Sequence, residues 1–219
     1  VQEQTTALDN KLAELDLDKI NAELAGKSAQ EIIRWAIDLN RRTITTTTFG
    51  DHSAVLLHMV SRIQYNMKVL WIDTGYNSSA TYRFANKMIN KLDLNIDVFT
   101  PLITTARLNV MMGGIPDVDD PLHEEFTEQV KLEPFKRATD TLKPEVWITG
   151  IRKDQTEFRQ SLNIVTRTKE GFIKVAPLLN WSEAEMNTYL TTHDLPNEPD
   201  YFDPTKAQET RECGLHTRF

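Results

Sequence analysis

Between residues 43 and 100 the chain switches repeatedly between a β-branched pattern and a helical one, and that alternation restricts its fold more than any other feature. Residues 43–49 are Thr-Ile-Thr-Thr-Thr-Thr-Phe and end at Gly50, which predicts a strand and a turn. Residues 53–63 carry Val55, Leu56, Met59, Val60 and Ile63 at helical spacing. Residues 68–72 form a short apolar strand that ends in Asp73-Thr74-Gly75. Residues 81–92 are again helical and residues 95–100 again a strand. Strands that alternate with helices and are almost continuously apolar imply a parallel sheet covered on both faces. The expected class is α/β, a three-layer sandwich with a mainly parallel sheet.

The flanks are less regular. The first 40 or so residues read as helices, with Ser28 and Glu31 forming a capping box ahead of Ile32, Ile33, Trp35, Ala36 and Leu39. Residues 124–142 predict two helices broken at Pro134. A strand is expected over 145–149, and a hairpin pairs 164–168 with 172–176 around Glu170-Gly171. Ser182 and Glu185 make a second capping box, opening a helix to about His193. From Leu195 the chain is polar and proline-bearing, an extended tail. The expected organisation is a helical segment 1–42, an α/β domain 43–194 and a tail 195–219.

The apolar runs fall far short of the ~20 residues of a membrane span, and residues 1–6 lack the basic-then-apolar pattern of a signal peptide. A single cysteine suits a reducing compartment, so the expected location is cytoplasmic and no partner membrane is expected. The net charge of −7 argues against a nucleic-acid partner. Residues 131–174 nevertheless hold ten basic and six acidic side chains. That local excess is either a solvated helix face or a site for a small polyanion.

Ligands of open α/β sheets gather outside the carboxyl ends of the strands, and three segments fall there. Thr46-Thr47-Thr48-Phe49-Gly50 offers hydroxyls and free amides at a helix start, suited to an oxyanion. It lacks the spacing and the lysine of a Walker A loop. Asp73-Thr74-Gly75 offers an acid and a hydroxyl for ribose or adenine. Gly150-Ile151-Arg152-Lys153-Asp154-Gln155, with Arg159 beyond, places forked donors at a third strand end. Each has a plain alternative as a turn or surface charge. In the tail, Cys213 stands between Arg211 and His216 in a polar setting that favours a thiolate. The five histidines show no metal-ligand spacing with one another or with Cys213, so no metal is expected.

Taken in order, these segments resemble the sulfonucleotide reductases, specifically the thioredoxin-dependent phosphoadenylyl-sulfate (PAPS) reductases. The resemblance runs from about residue 43 to His216. It covers the modified PP-loop at Thr46 to Gly50, Asp73-Thr74-Gly75-Tyr76 with Thr81-Tyr82-Arg83-Phe84, Lys131-Leu132-Glu133-Pro134, the arginine loop, and Glu212-Cys213-Gly214-Leu215-His216. It implies an adenine nucleotide α-hydrolase-like fold. Thr46, Thr47, Thr48 and Gly50 would line the nucleotide pocket and Asp73, Thr74 and Gly75 would hold the adenosine. Lys131, Arg152 and Arg159 would neutralise the phosphosulfate, with Gly150, Gln155 and Arg211 completing the substrate contacts. Cys213, His216 and Arg152 would be catalytic, Cys213 as the nucleophile that accepts the sulfonate.

The resemblance also implies a thioredoxin or glutaredoxin as the source of electrons, and a homodimer is the family's frequent state. With one cysteine, a four-thiolate iron–sulfur cluster has no ligand set, so no cofactor is expected and the 3′-phosphorylated substrate is favoured. The chain departs from the family where a long linker with a Tyr-x-Ser-Ile-Gly-like stretch would stand: only the 17 residues 195–211 precede the signature, a reach of about 55 Å when extended. Two rivals share the sheet-end motifs, a PP-loop adenylyltransferase or ATP pyrophosphatase and an inactive nucleotide-binding module.

Overall fold

The computed structural model describes Leu12, residues 14–206 and Leu215. Five strands run parallel: β1 (Thr43–Thr47), β2 (Lys68–Ile72), β3 (Asn95–Phe99), β4 (Val146–Ile148) and β6 (Ile173–Val175). The sixth, β5 (Val165–Arg167), pairs antiparallel with β6 as the expected hairpin, turning at Gly171 with φ 90°. The strand order is β3-β2-β1-β4-β6-β5.

Residues that alternate along the strands go to opposite layers. Val69, Trp71, Val146, Ile148, Ile173 and Val175 belong to the larger core, which they share with α1 (Leu17–Leu24), α2 (Ala29–Asp38), α3 (Ser53–Ile63), α4 (Ser79–Leu92) and α9 (Glu183–Thr192). Ile44, Leu70 and Trp147 face the other layer, where α7 (Glu133–Leu142) supplies Phe135 and Ala138 and the tail supplies Leu215. Both faces are covered, as continuous apolar strands require. Both capping boxes form: Ser28 accepts from the Glu31 amide and Ser182 from the Glu185 amide, each at 3.3 Å.

Two expectations need correction. Pro134 does not break a helix. The chain runs from α6 (His123–Thr127) through a π-helical turn (Glu128–Leu132) directly into α7, with Pro134 in the first turn of α7, where a missing N–H costs least. Two helices also went unanticipated, α5 (Thr105–Met112) and the short α8 (Glu157–Gln160).

A pocket of about 370 Å³ opens between α2, α3 and α9, lined in part by Arg34, His58, Arg62, Tyr189 and His193. It holds none of the candidate substrate or catalytic residues read from the sequence. His58 Nδ1 meets the Tyr189 hydroxyl at 2.9 Å, and its ring lies 4.9 Å from that of His193. Burial, with the nearby charges of His193, Arg62 and Lys91, pushes the His58 pKa below its ordinary 6.5. The unfolded chain therefore takes up this proton at a higher pH than the folded one. Stability is fully present above about pH 6.5 and declines as pH falls through the folded value. Chemical denaturation across this window should show a smaller loss on acidification for His58→Gln than for the native chain; equal slopes would remove His58 as the cause.

Candidate active site

The three strand-end segments come together because β2, β1 and β4 are neighbours running in one direction. The chain goes from β1 outward through β2 to β3, then returns to place β4 on the opposite side of β1. The carboxyl ends of β1 and β4 thus flank a topological switch point, where crossing chains diverge and leave a crevice.

The threonines divide their work. Thr45 Oγ1 donates to the Ile148 carbonyl at 3.1 Å, and Thr46 Oγ1 accepts from Trp147 Nε1 at 2.9 Å, so both tie β1 to β4. Thr47 Oγ1 accepts from the Phe49 amide at 3.0 Å, and Thr48 Oγ1 from the Gly50 amide at 3.4 Å. These short-range bonds turn the chain out of the strand. Phe49 and His52 take left-handed conformations, φ 53° and 60°, and the buried Phe49 ring packs edge-on against Trp71 and Phe84. The turn delivers the amino terminus of α3 to the rim. Ser53 Oγ, in its first turn, is buried with no hydrogen-bond partner among the described residues. An anion at this rim would meet the positive end of the helix dipole.

At the end of β2, Asp73 Oδ1 accepts from the Gly75 amide, Asn77 Nδ2 and the Tyr82 hydroxyl at 3.0, 2.9 and 2.8 Å. Burial and the bond to Asp73 push the Tyr82 pKa up to about 12, so Tyr82 stays a donor. Thr74 is buried, and Gly75 (φ 78°) receives the Thr105 hydroxyl on its carbonyl at 3.3 Å. In the arginine loop, Arg152 and Arg159 are both buried, and both converge on Gln155: Oε1 accepts from the Arg152 amide at 3.0 Å and from Arg159 Nη1. Arg152 Nε donates to Asp154 Oδ1 at 3.0 Å. Gly150 is exposed at the start of this loop.

Lys131 lies in the π-helical turn and is buried against Asp203 and Thr205. Its ammonium forms an ion pair with Asp203, the two side chains only 5% and 6% exposed, and it also donates to Thr205 Oγ1 at 3.4 Å. Burial opposes ionisation of Asp203, but the charge of Lys131 and the hydroxyl and amide of Thr205 hold its pKa below the ordinary carboxylate value.

Asp203 belongs to a strap, residues 197–205, that the sequence presented only as a polar tail. Asn197 accepts from the His52 amide at 2.8 Å and donates to Asp51 at 2.6 Å. Thr205 offers its carbonyl to His123 at 3.3 Å. The ring of Tyr201 lies on Gly50: a Cβ there would stand 2.6 Å from Tyr201 Cγ. Asn197, Tyr201 and Asp203 were not singled out, because their partners are distant in sequence and no periodicity marks them. Arg211, Cys213 and His216 lie outside the described residues. Leu215 is described, and it is buried beside Ile44, Trp147 and Phe135.

Gly50→Ala should collide with the near end of the Tyr201 side chain and cost about 1–3 kcal/mol in unfolding free energy. Tyr201→Ala introduced with it should relieve that part of the cost, a non-additive pair in denaturant titrations. Strictly additive losses would refute the contact.

The chain matches the family model for the phosphoadenosine phosphosulfate reductase domain over residues 42–203. It is 37% identical to the phosphoadenosine 5′-phosphosulfate reductase of Synechococcus sp. over 91% of this chain and 97% of that one. It is likewise 37% identical to the Synechocystis sp. protein of that name, over 90% and 79%. Among solved structures, the phosphoadenylyl-sulfate reductase of Candida auris, crystallised as a phosphate complex, superposes with a TM-score of 0.71 at 28% identity, over 83% of this chain and 87% of that one. Likenesses to the Candida glabrata FMN adenylyltransferase and the Campylobacter jejuni NAD synthetase, at 15% and 14% identity, show the shared PP-loop-type fold alone. By sequence and by architecture, the chain belongs to the phosphoadenosine phosphosulfate reductase family.

Proposed function

We propose that this chain reduces 3′-phosphoadenylyl sulfate to sulfite and adenosine 3′,5′-bisphosphate, with Cys213 as nucleophile, in the assimilation of sulfate. The observation that carries the reading is the meeting of the threonine loop and the arginine loop at the β1/β4 switch point, in a chain whose family membership is established. The nucleotide would lie against Thr46 to Gly50 and Asp73 to Gly75. Arg152 and Arg159, with Gln155 between them, would face the phosphosulfate.

Chemistry requires such cations. A thiolate approaching an anionic sulfonate meets repulsion, and the leaving phosphate gains charge as the S–O bond breaks. Fixed guanidinium groups in a water-poor site lower both costs. The Cys213 sulfur forms an S–S bond to the sulfonate sulfur, and the bridging oxygen leaves with its electron pair as adenosine 3′,5′-bisphosphate. A thiolate of an external dithiol then attacks Cys213 Sγ. Sulfite departs with the S–S electron pair, and the second thiol resolves the mixed disulfide. This chain has no second cysteine, so both reducing thiols come from a partner of the thioredoxin or glutaredoxin class and no iron–sulfur cluster takes part.

Wild-type protein with reduced thioredoxin should release sulfite from PAPS, and Cys213→Ser should reduce that rate on the order of 10³-fold or more while still binding the nucleotide. PAPS without reductant should add one sulfonate, about 80 Da, to the intact wild-type mass. Turnover of ATP to AMP and pyrophosphate without sulfite would point instead to the adenylyltransferase rival, and binding without turnover to an inactive module.

A further inference from the structure

His52 was not among the residues the sequence pointed to, yet it occupies the middle of the rim. It is the N-cap of α3, left-handed at φ 60°, and only 5% exposed. Its side chain does not cap the helix; it reaches sideways toward α9 and the arginine loop and back to its neighbour Asp51. Nε2 lies 2.9 Å from Asn187 Oδ1 on α9. Nδ1 lies 2.7 Å from Asp51 Oδ2 and 3.5 Å from Nη1 of Arg152. The His52 amide donates to Asn197 of the strap, which also holds Asp51 Oδ1.

Arg152 is thereby fixed on two sides. Asp154 takes the Nε edge and the His52 ring stands against Nη1, while Nη2 has no hydrogen-bond partner among the described residues. A guanidinium with two of its three nitrogens held presents the third in a set direction. That matters for a transition state, because electrostatic stabilisation depends on donors already aimed at the developing charge. The 2.7 Å approach to Asp51 has Nδ1–H donating to that carboxylate, and the ring held in this way stands 3.5 Å from Nη1 and bounds that edge of the guanidinium.

We propose that His52 is a positioning residue for sulfonate transfer: it holds Arg152 in the direction needed for the phosphosulfate and couples that direction to the nucleotide loop. The inference rests on the function proposed above. A second role for the same ring, joining α3 to α9 through Asn187, would be structural only.

The two ring nitrogens allow these roles to be separated. Asparagine places its amide near the position of Nδ1 and tolerates a left-handed backbone, so His52→Asn retains the contact toward Arg152. Glutamine places its amide near Nε2, so His52→Gln retains the contact toward Asn187. The experiment is sulfite release from PAPS with reduced thioredoxin for wild type, H52A, H52N, H52Q, R152A and H52A/R152A. Affinity for adenosine 3′,5′-bisphosphate, which lacks the sulfonate, is measured alongside.

H52A should lower kcat/KM roughly tenfold with little change in product affinity, and it should lower R152A activity no further, since groups acting through one another are non-additive. H52N should restore more of the rate than H52Q. Should H52A not fold, the H52N and H52Q comparison decides alone. Better rescue by H52Q, an additive double variant, or full activity in R152A would each overturn the inference while leaving the Cys213 chemistry standing. A wild-type protein that releases no sulfite would instead overturn the functional reading beneath it.

Discussion

Burying positive charge at the carboxyl rim of the sheet is the constraint around which the rest of this structure is arranged. Lys131, Arg152 and Arg159 are all buried in a protein whose net charge is −7. Taking such groups out of water costs several kcal/mol each unless their hydrogen-bonding capacity is met. Each is met differently. Lys131 has a full counter-charge in Asp203, Arg152 a half-exposed carboxylate in Asp154, and Arg159 the neutral oxygen of Gln155 among its partners. The degree of neutralisation decides what each cation can still do. The carboxylate that meets Lys131 is as buried as the lysine, whereas the one that meets Arg152 is itself partly solvated.

This division explains the strap. Residues 197–205 contain no helix or strand, yet they are tied to the nucleotide loop through Asn197 and Tyr201, to the π-helical turn through Asp203, and to α6 through Thr205. A loop that crosses a sheet edge needs its own polar groups satisfied, and here the partners are the motif residues themselves. The π-helical turn takes part in this arrangement. It inserts extra backbone just before Pro134, and Lys131 sits within it, reaching Asp203. Wide helical turns of this kind are frequent at functional sites.

What the sequence disclosed and what it hid follow from how far apart the interacting residues lie. Capping boxes, β-branched strands and the glycine turn of the β5–β6 hairpin are local, and all formed where the pattern put them. The strand-end motifs needed only the knowledge that parallel strands share a rim. Helix α5 escaped because it lacks a stripe: Leu108 is its one buried residue, while Val110 and Met111 face solvent at 85% and 54% exposure. Pro134 misled because a proline in a helical stretch reads as a break, although the first turn of a helix accepts it. His52 and Asp203 were invisible for a deeper reason. Their partners stand 135 and 72 residues away, and no single-sequence pattern reports such a pairing.

The other face of the sheet carries one more violation of pattern. A parallel strand buried on both sides should be apolar throughout, but β6 reads Ile-Lys-Val, and Lys174 is 5% exposed. Its register neighbour across the ladder is Trp147, and the ammonium lies 4.9 Å from the centre of that indole. A desolvated cation over an indole face is held by the ring quadrupole, about 2 kcal/mol in favourable cases. The same indole donates its N–H to Thr46. One aromatic side chain thus joins a buried cation on β6 to the first threonine of the nucleotide loop on β1, across β4. Leu215 packs into the cluster that contains this indole. The layer that receives Leu215 is therefore not a purely oily surface; it carries a polar line from Lys174 through Trp147 to Thr46, leading to the rim where Arg152 is held. Replacing that line with the aliphatic residues a parallel strand would ordinarily bring there would leave the sheet intact while removing both the cation and the donor that fixes Thr46.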